Sequence, residues 1–172
     1  MSEARAAARS LDPRLLVTTL AEHGVRYVLV GALAARLSGF PRVTADADIT
    51  PARDAENLTR LSAALRALDA RVYTESVPEG LAFDASPAML ARADTWNLVT
   101  AAGRLDLLFS PAGIGGYDAL APRADHFEVF GVELLVARLE DILRSKEAAD
   151  RPRDRQDVVV IRAMLARARA EG

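Results

Sequence analysis

The stretch YVLVGALAARLSGFPRVTADADIT, residues 27–50, contains two aspartates whose spacing suits a metal site. Asp46 and Asp48 are two residues apart, and because side chains of a strand alternate between its faces, both carboxylates project from the same face. Mg²⁺ prefers oxygen ligands and is often held by a few carboxylates together with substrate phosphates. The pair therefore indicates metal-assisted chemistry on a nucleotide.

A glycine turn and a third acid complete the requirements of such a reaction. Gly31 and Ala32 open a short helix directly after the apolar strand Tyr27–Val30, where backbone N–H groups can hold phosphate. Asp106, within RLDLLF on a later strand, is the candidate third carboxylate and general base. Nucleotidyl transfer needs donors that bind the triphosphate, carboxylates that bind the metal, and a group that activates the acceptor hydroxyl.

Several other polar residues are candidates for contacts with the nucleotide. A strand that begins at Arg42 would place Arg42 and Thr44 on the face of the aspartates, within reach of phosphate or the carboxylates. A structural ion pair is an equal alternative for Arg42. Lys146 either neutralises the negative charge of the triphosphate or is a solvated helix lysine. Tyr73 is predicted to lie in the core.

The composition is typical of a single soluble domain. The chain has 172 residues, of which 51% are hydrophobic and 27% charged, and this length is sufficient to bury a core. The net charge of −2 does not demand a nucleic-acid partner. The absence of cysteine excludes a disulfide framework and a cysteine-based zinc site. The longest apolar run is about half the length of a membrane helix, so we expect a cytoplasmic protein that does not contact a membrane.

Hydrophobic spacing and turn residues predict a mixed α/β chain. The predicted helices cover residues 11–23, 31–38, 54–68, 86–93 and, in two pieces split near Arg151, residues 138 onward. The predicted strands cover residues 27–30, 42–49, 71–74, 95–100, 104–109, 126–130 and 132–136, with an irregular segment from residue 75 to Phe83. We expect a flexible N-terminal tail, residues 1–10, and a core, residues 11–136. A helical C-terminal extension, residues 137–172, would pack on this core in one compact domain.

These motifs resemble the nucleotidyltransferase fold of the DNA polymerase β type. Its signature is an apolar residue, Gly, then Gly or Ser, followed after a spacer by Asp-apolar-Asp/Glu-apolar. The chain has Val30-Gly31-Ala32 and, after the spacer, Asp46-Ala47-Asp48-Ile49, and Asp106 matches the third acid of the family. Ala32 departs from the pattern, because it keeps the backbone N–H but lacks a hydroxyl that would contact phosphate.

The C-terminal stretch LEDILRSKEAADRPRDRQD resembles the tail of small bacterial nucleotidyltransferase-like proteins, including the toxin half of abortive-infection toxin–antitoxin systems. Those tails carry a Leu-x-Asp-Leu/Ile start, a lysine, and an Arg-Pro-Lys/Arg-Asp-x-x-Asp run. The matching positions here are Lys146, Arg151, Arg153, Asp154 and Asp157. From their residue types alone, Asp154 and Asp157 are expected to form a helix cap and a surface pair.

The resemblance implies a small mixed sheet flanked by helices, with the helical extension packed on it. It also implies transfer of a nucleotide from an NTP to a hydroxyl, with two Mg²⁺ ions and with ATP as the expected nucleotide. The expected metal and catalytic residues are Asp46, Asp48 and Asp106, and the expected nucleotide-binding residues are Gly31, Ala32, Arg42, Thr44 and Lys146. The acceptor stays open between a tRNA end, a protein and a small molecule, and a cognate toxin or antitoxin is an expected partner.

Two alternative functions stay open. Residues 46–50 also match DxDxT, the nucleophile motif of haloacid-dehalogenase-like phosphatases, although the preceding strand is weakly apolar and no later acid pair for Mg²⁺ is evident. The third candidate is a non-catalytic nucleotidyltransferase-like module that binds a partner. Ala32 favours that module, whereas the retention of all three acids argues against it.

Overall fold

The computed structural model describes residues 10–172, which contain one eight-stranded mixed sheet and seven α-helices. The strands are β1 (Tyr27–Val30), β2 (Asp46–Pro51), β3 (Arg71–Thr74), β4 (Val77–Leu81), β5 (Thr95–Thr100), β6 (Gly103–Leu108), β7 (Asp125–Val129) and β8 (Val132–Val136). The helices are α1 (Pro13–Glu22), α2 (Gly31–Leu37), α3 (Ala55–Ala67), α4 (Pro87–Leu90), α5 (Tyr117–Leu120), α6 (Leu139–Ala149) and α7 (Arg155–Glu171). Of the expected N-terminal tail, residues 1–9 lie outside the described range.

The sheet has the strand order β4-β3-β5-β6-β2-β1-β8-β7. Two neighbouring pairs are parallel, β2 with β6 and β1 with β8, and the other pairs are antiparallel. The expected mixed α/β class is therefore confirmed. The sheet is larger than the small sheet we expected, because a hairpin extends it at each end. One of these hairpins includes β4, so the prediction of an irregular segment between β3 and Phe83 was wrong.

The central strands separate a core face from a polar face. In β2, Ala47 and Ile49 are fully buried, whereas Asp46 and Asp48 on the opposite face are partly exposed. The same alternation occurs in β6, where Leu105 and Leu107 enter the core and the polar residues between them do not. Because side chains alternate along a strand, this pattern fixes which face can form a functional site.

The N-terminus of α1 lies within two residues of its predicted position, whereas one strand boundary is wrong. Asp12 caps α1 by accepting a hydrogen bond from Leu15 N at 3.0 Å, and Pro13 follows it as the first helical residue. The strand β2 begins at Asp46, four residues later than predicted. Arg42 and Thr44 therefore lie in the irregular segment before β2, and the argument from strand parity does not apply to them.

The last two long helices share the core of the sheet. A 3₁₀ turn, Pro152–Asp154, joins α6 to α7 where the sequence predicted a break. Ile142 of α6 and Ile161 of α7 are buried in the same apolar cluster as the central strands, and α6 packs against α2. Within residues 10–172, no helix is both long and apolar enough to cross a membrane.

Candidate functional site

A cleft of about 970 Å³ lies over the polar face of the central strands. Its lining includes every residue that the sequence assigned to the site: Asp46, Asp48, Asp106, Gly31, Ala32, Arg42, Thr44 and Lys146. The strands supply the floor, while α2, the segment before β2 and the α6–α7 connection supply one wall. Residues that are distant in sequence are thus brought together at one place.

The three aspartates occupy neighbouring positions on two parallel strands. Asp48 of β2 is directly opposite Asp106 of β6, and Asp46 is opposite Arg104 in the adjoining register position. Strands in a sheet are about 4.8 Å apart, so the three carboxylates form one patch of the floor. The Oδ1 atom of Asp106 is buried and has no hydrogen-bond partner in the described residues, so a ligand or ion in the cleft could satisfy it.

The electrostatics of the patch favour added positive charge. Burial, followed by the carboxylates of Asp106 and Asp46, raises the pKa of Asp48 to about 7. Burial also raises the pKa of Asp106, although the Arg104 guanidinium acts in the opposite direction. These aspartates are therefore held closer together and farther from water than their charges favour.

Gly31 provides both a turn and a close approach to Asp48. Its φ of +69° lies in the left-handed region, which residues with side chains rarely adopt. A Cβ at this position would stand 2.1 Å from Asp48 Oδ2, so only glycine leaves room for that carboxylate. Gly31 also begins α2, whose N-terminus receives no side-chain cap, and the first N–H groups of a helix lack partners within it.

Lys146 lies in a buried ion network that forms part of the wall. Its Nζ donates to Asp154 Oδ1 and to Asp157 Oδ2, both at 3.1 Å. Arg42 Nη1 donates to Asp157 Oδ1 at 2.8 Å, and Arg151 Nε donates to Asp154 Oδ2 at 2.7 Å. Although burial would raise the pKa of Asp154, hydrogen bonds from Arg151 and Lys146 hold it below its usual value.

The network changes the roles expected for its members. Asp154 and Asp157 are only 4% and 6% exposed, so the expected surface pair is a buried pair, and Asp154 makes no side-chain cap bond to α7. Lys146 is not a solvated helix lysine, because its amine forms ion pairs with the carboxylates of both Asp154 and Asp157. Arg42 makes the structural ion pair that was its alternative role. Arg153 also lines the cleft, and no carboxylate of residues 10–172 pairs with it.

Sequence reasoning missed three residues on the opposite side of the floor. Arg104 lies 3.5 Å above the ring centroid of Tyr73, which lines the cleft and does not belong to the core as predicted. Asn97 of β5 is opposite Asp106 and also lines the cleft. The spacing of Arg104 from Asp106 was a readable signal, since residues two apart share a strand face. No comparable signal identified Tyr73 or Asn97, because strand pairing placed them here.

The donor set fits a divalent cation that shares its coordination with a phosphate ligand. Within residues 10–172, no group of three or more His, Cys, Asp or Glu side chains is arranged so that it could hold a metal ion by itself. Mg²⁺ does not require one, because it keeps several waters and commonly uses one or two carboxylates with substrate phosphates. The unpartnered oxygen of Asp106 and the raised pKa of Asp48 are the features that a cation would relieve.

Comparison with known proteins does not assign the chain to a family. No family model matches the sequence, and no curated protein matches it. The function is therefore inferred from the geometry of the cleft.

Proposed function

We propose that the protein is a Mg²⁺-dependent nucleotidyltransferase with a fold of the DNA polymerase β type. The reaction would transfer a nucleotide from an NTP, with ATP the first candidate, to a hydroxyl. The observation that carries the proposal is the placement of Asp48 opposite Asp106, with Gly31 against the Asp48 carboxylate at the start of α2. This arrangement combines an acidic patch with the start of a helix in a single cleft.

The carboxylates would act on the metal and on the acceptor hydroxyl. Asp46, Asp48 and Asp106 would hold Mg²⁺, which when bound neutralises phosphate charge and aligns the attacking and leaving oxygens. Asp106 would also accept the proton of the attacking hydroxyl while the bond between the α-phosphate and pyrophosphate breaks. The products are a nucleotidylated acceptor and pyrophosphate.

The wall of the cleft would hold the triphosphate. The N–H groups of Gly31 and Ala32 are donors at the start of α2, and they do not depend on the hydroxyl that Ala32 lacks. Arg153 is the cleft arginine without a carboxylate partner in the described residues, so it is available to phosphate. Lys146 and Arg42 would hold the wall in place through Asp157.

The acceptor stays open, because neither the family resemblance nor the cleft chooses among the candidates. An RNA end such as that of tRNA, a protein hydroxyl and a small alcohol are the candidate acceptors. The likeness of the tail to toxin–antitoxin components adds a cognate toxin or antitoxin to the candidate partners. An unbiased labelling experiment with each NTP addresses all of these candidates.

Nucleotide binding tests the proposed contact between the triphosphate and the backbone at Gly31. In calorimetric titration with ATP and Mg²⁺, we expect Gly31→Ala to weaken binding by about tenfold or more, because the added Cβ displaces Asp48. Gly131→Ala is the matched control, since Gly131 also has a positive φ of +76° and no atom within 4 Å of its Cβ position. Equal losses in the two variants, or no binding by the wild type, would contradict the proposal.

Transfer of labelled nucleotide tests the chemistry. We expect wild-type protein to label an acceptor in cell extract, and Asp106→Asn to bind NTP but lose about 100-fold or more of the transfer rate. Binding without labelling by the wild type would favour the partner-binding module. Release of phosphate from a generic aryl phosphate, with no labelling, would favour the phosphatase.

A further inference from the structure

Arg104 is a cation in the middle of the acidic floor. It shares the cleft face of β6 with Asp106, and across the parallel pair it lies opposite Asp46. Its Nη2 atom is 3.8 Å from Asp106 Oδ1, and its side chain is 23% exposed. Arg104 is therefore close to Asp106 and lies on the same floor as the other two aspartates that would hold the metal ion.

The guanidinium is positioned mainly by an aromatic ring. Arg104 lies 3.5 Å from the centroid of Tyr73, which is close contact for a cation over a ring. Its Nε is buried and has no hydrogen-bond partner in the described part of the chain, and the distance to Asp106 exceeds that of a direct hydrogen bond. Tyr73 thus holds the charge near Asp106 without a bond that would fix it there.

The other cations of the cleft lie outside the strands, and Arg153, in the turn between α6 and α7, is the one among them without a carboxylate partner within residues 10–172. Lys146 is bonded to Asp154 and Asp157, and Arg151 is bonded to Asp154. Arg104 is the cation that lies on the strands themselves, among the aspartates. A positive charge and a divalent cation drawn to the same carboxylates repel each other, and this repulsion is strong where water is limited.

We propose that Arg104, held against Tyr73, is the resident counter-ion of the aspartate cluster Asp46, Asp48 and Asp106 and competes with divalent cations for it. The inference rests on the metal-binding role in the proposed function. It adds a form of regulation, because free metal binds weakly while the guanidinium compensates the cluster. The phosphates of a nucleotide supply further ligands, so the cation binds most tightly together with the nucleotide.

Manganese binding to the nucleotide-free protein tests the competition. We expect Arg104→Met, measured by electron paramagnetic resonance titration with Mn²⁺ alone, to lower the Kd by about three- to tenfold. Arg104→Lys keeps the charge but loses the flat group that stacks on Tyr73, so its Kd should lie between those of the wild type and Arg104→Met. Arg14→Met is the matched control, because Arg14 also lies over an aromatic ring, Phe130, at 4.6 Å and is not part of the cleft lining.

Substitutions of Tyr73 separate positioning from charge. Tyr73→Phe keeps the ring under the guanidinium and should leave the Kd for Mn²⁺ within about twofold of the wild type. Tyr73→Leu removes the ring but keeps every charge, so a lower Kd in this variant would show that the ring holds Arg104 in its competing position. Circular dichroism checks that each variant is folded, and Tyr73→Leu also provides the test if Arg104→Met does not fold.

The outcomes distinguish this inference from the proposed function. An unchanged or higher Kd for Mn²⁺ in folded Arg104→Met and Tyr73→Leu overturns the inference, even if the wild type transfers nucleotide. A loss of Mn²⁺–ATP binding with unchanged binding of Mn²⁺ alone also overturns it, because Arg104 would then be a nucleotide ligand. Tighter Mn²⁺ binding in both variants supports it, and absence of nucleotide transfer by the wild type would then reject only the proposed function.

Discussion

Asp48 links protonation in the cleft to the stability of the fold. Burial, reinforced by Asp106 and Asp46, raises its pKa from 3.8 to about 7. The folded state therefore binds this proton more tightly than the unfolded chain does, and metal-free protein loses stability as the pH rises from about 4 to about 7. We expect Asp48→Asn to raise the free energy of unfolding by about 2 kcal/mol near pH 8 and by little near pH 4.

Urea unfolding in the presence of a chelator measures this effect across the pH range. Asp69→Asn is the control, because Asp69 is exposed, and asparagine tolerates its positive φ of 49°. The stability of this control relative to the wild type should not change with pH. A difference between Asp48→Asn and the wild type that stays constant from acid to alkaline pH would contradict the linkage.

Single residues were predictable where one strand alone determined their direction. The two-residue spacing of Asp46 and Asp48 was enough to place both carboxylates on one face, and the structure shows both lining the cleft. Arg42 and Thr44 line it too, but for another reason, since they precede the strand. Tyr73 was assigned to the core because it is an aromatic residue in a short strand. The sequence of such a strand does not reveal which of its two faces packs on the core.

The ion network is the main polar connection between α6, α7 and the segment before β2. Lys146 faces two carboxylates that are almost fully buried, Asp154 and Asp157. Removing Lys146 leaves each of these buried carboxylates with a single, half-exposed arginine as its partner, which costs more than the loss of a surface ion pair. We expect Lys146→Met to lower the free energy of unfolding by about 3 kcal/mol, as measured by urea unfolding in the absence of nucleotide.

Two further variants show whether burial is the cause. Arg162→Met removes the partner of Glu147 on the exposed side of α7 and should cost at most about 1 kcal/mol. Adding Asp157→Asn to Lys146→Met removes one of the two buried negative charges that the lysine had balanced and should recover part of the loss. A cost for Lys146→Met as small as that for Arg162→Met would show that the lysine does not stabilise the wall.

Whole elements were predictable where periodicity or capping was strong, and not elsewhere. The helices α1 and α3 follow clear apolar stripes behind capping aspartates, and both were predicted within two residues. The strand β4, with the sequence VPEGL, contains proline and glycine, which weaken any strand pattern. Its Gly80 is packed so closely that a Cβ there would lie 2.6 Å from Val99 Cγ1, a long-range contact that local sequence does not contain.

The topology of the sheet depends on pairings that are distant in sequence. The strand β2 pairs in parallel with β6, and three strands and two helices separate them along the chain. That pairing places Asp106 beside Asp48. The sequence offered Asp106 as a third carboxylate on a later strand, and the family resemblance supported it, but local pattern did not determine the pairing. The alternation of apolar and polar residues predicted which side chains share a strand face. The order of the strands in the sheet follows from packing of the whole core.

The C-terminal helices and the sheet share one core, which predicts a single cooperative unfolding transition. Ile161 of α7 is fully buried in the cluster that includes the central strands, so α7 cannot separate without exposing that core. Trp96, the single tryptophan, stacks on Phe83 at 5.5 Å beside β5 and reports on the other end of the molecule. We expect tryptophan fluorescence and far-ultraviolet circular dichroism to give the same urea midpoint.

A substitution in α7 makes this prediction sharper. Ile161→Ala should cost about 3 kcal/mol, and it should shift the fluorescence midpoint as far as the dichroism midpoint, because both probes follow one transition. Val159→Ala is the control, since Val159 is 65% exposed on the same helix and its truncation should cost at most about 0.5 kcal/mol. Loss of helical signal at a lower urea concentration than the change around Trp96 would mean that residues 137–172 unfold separately. The part of the cleft wall that contains Lys146 and Arg153 would then unfold while the strands that carry the aspartates stay folded.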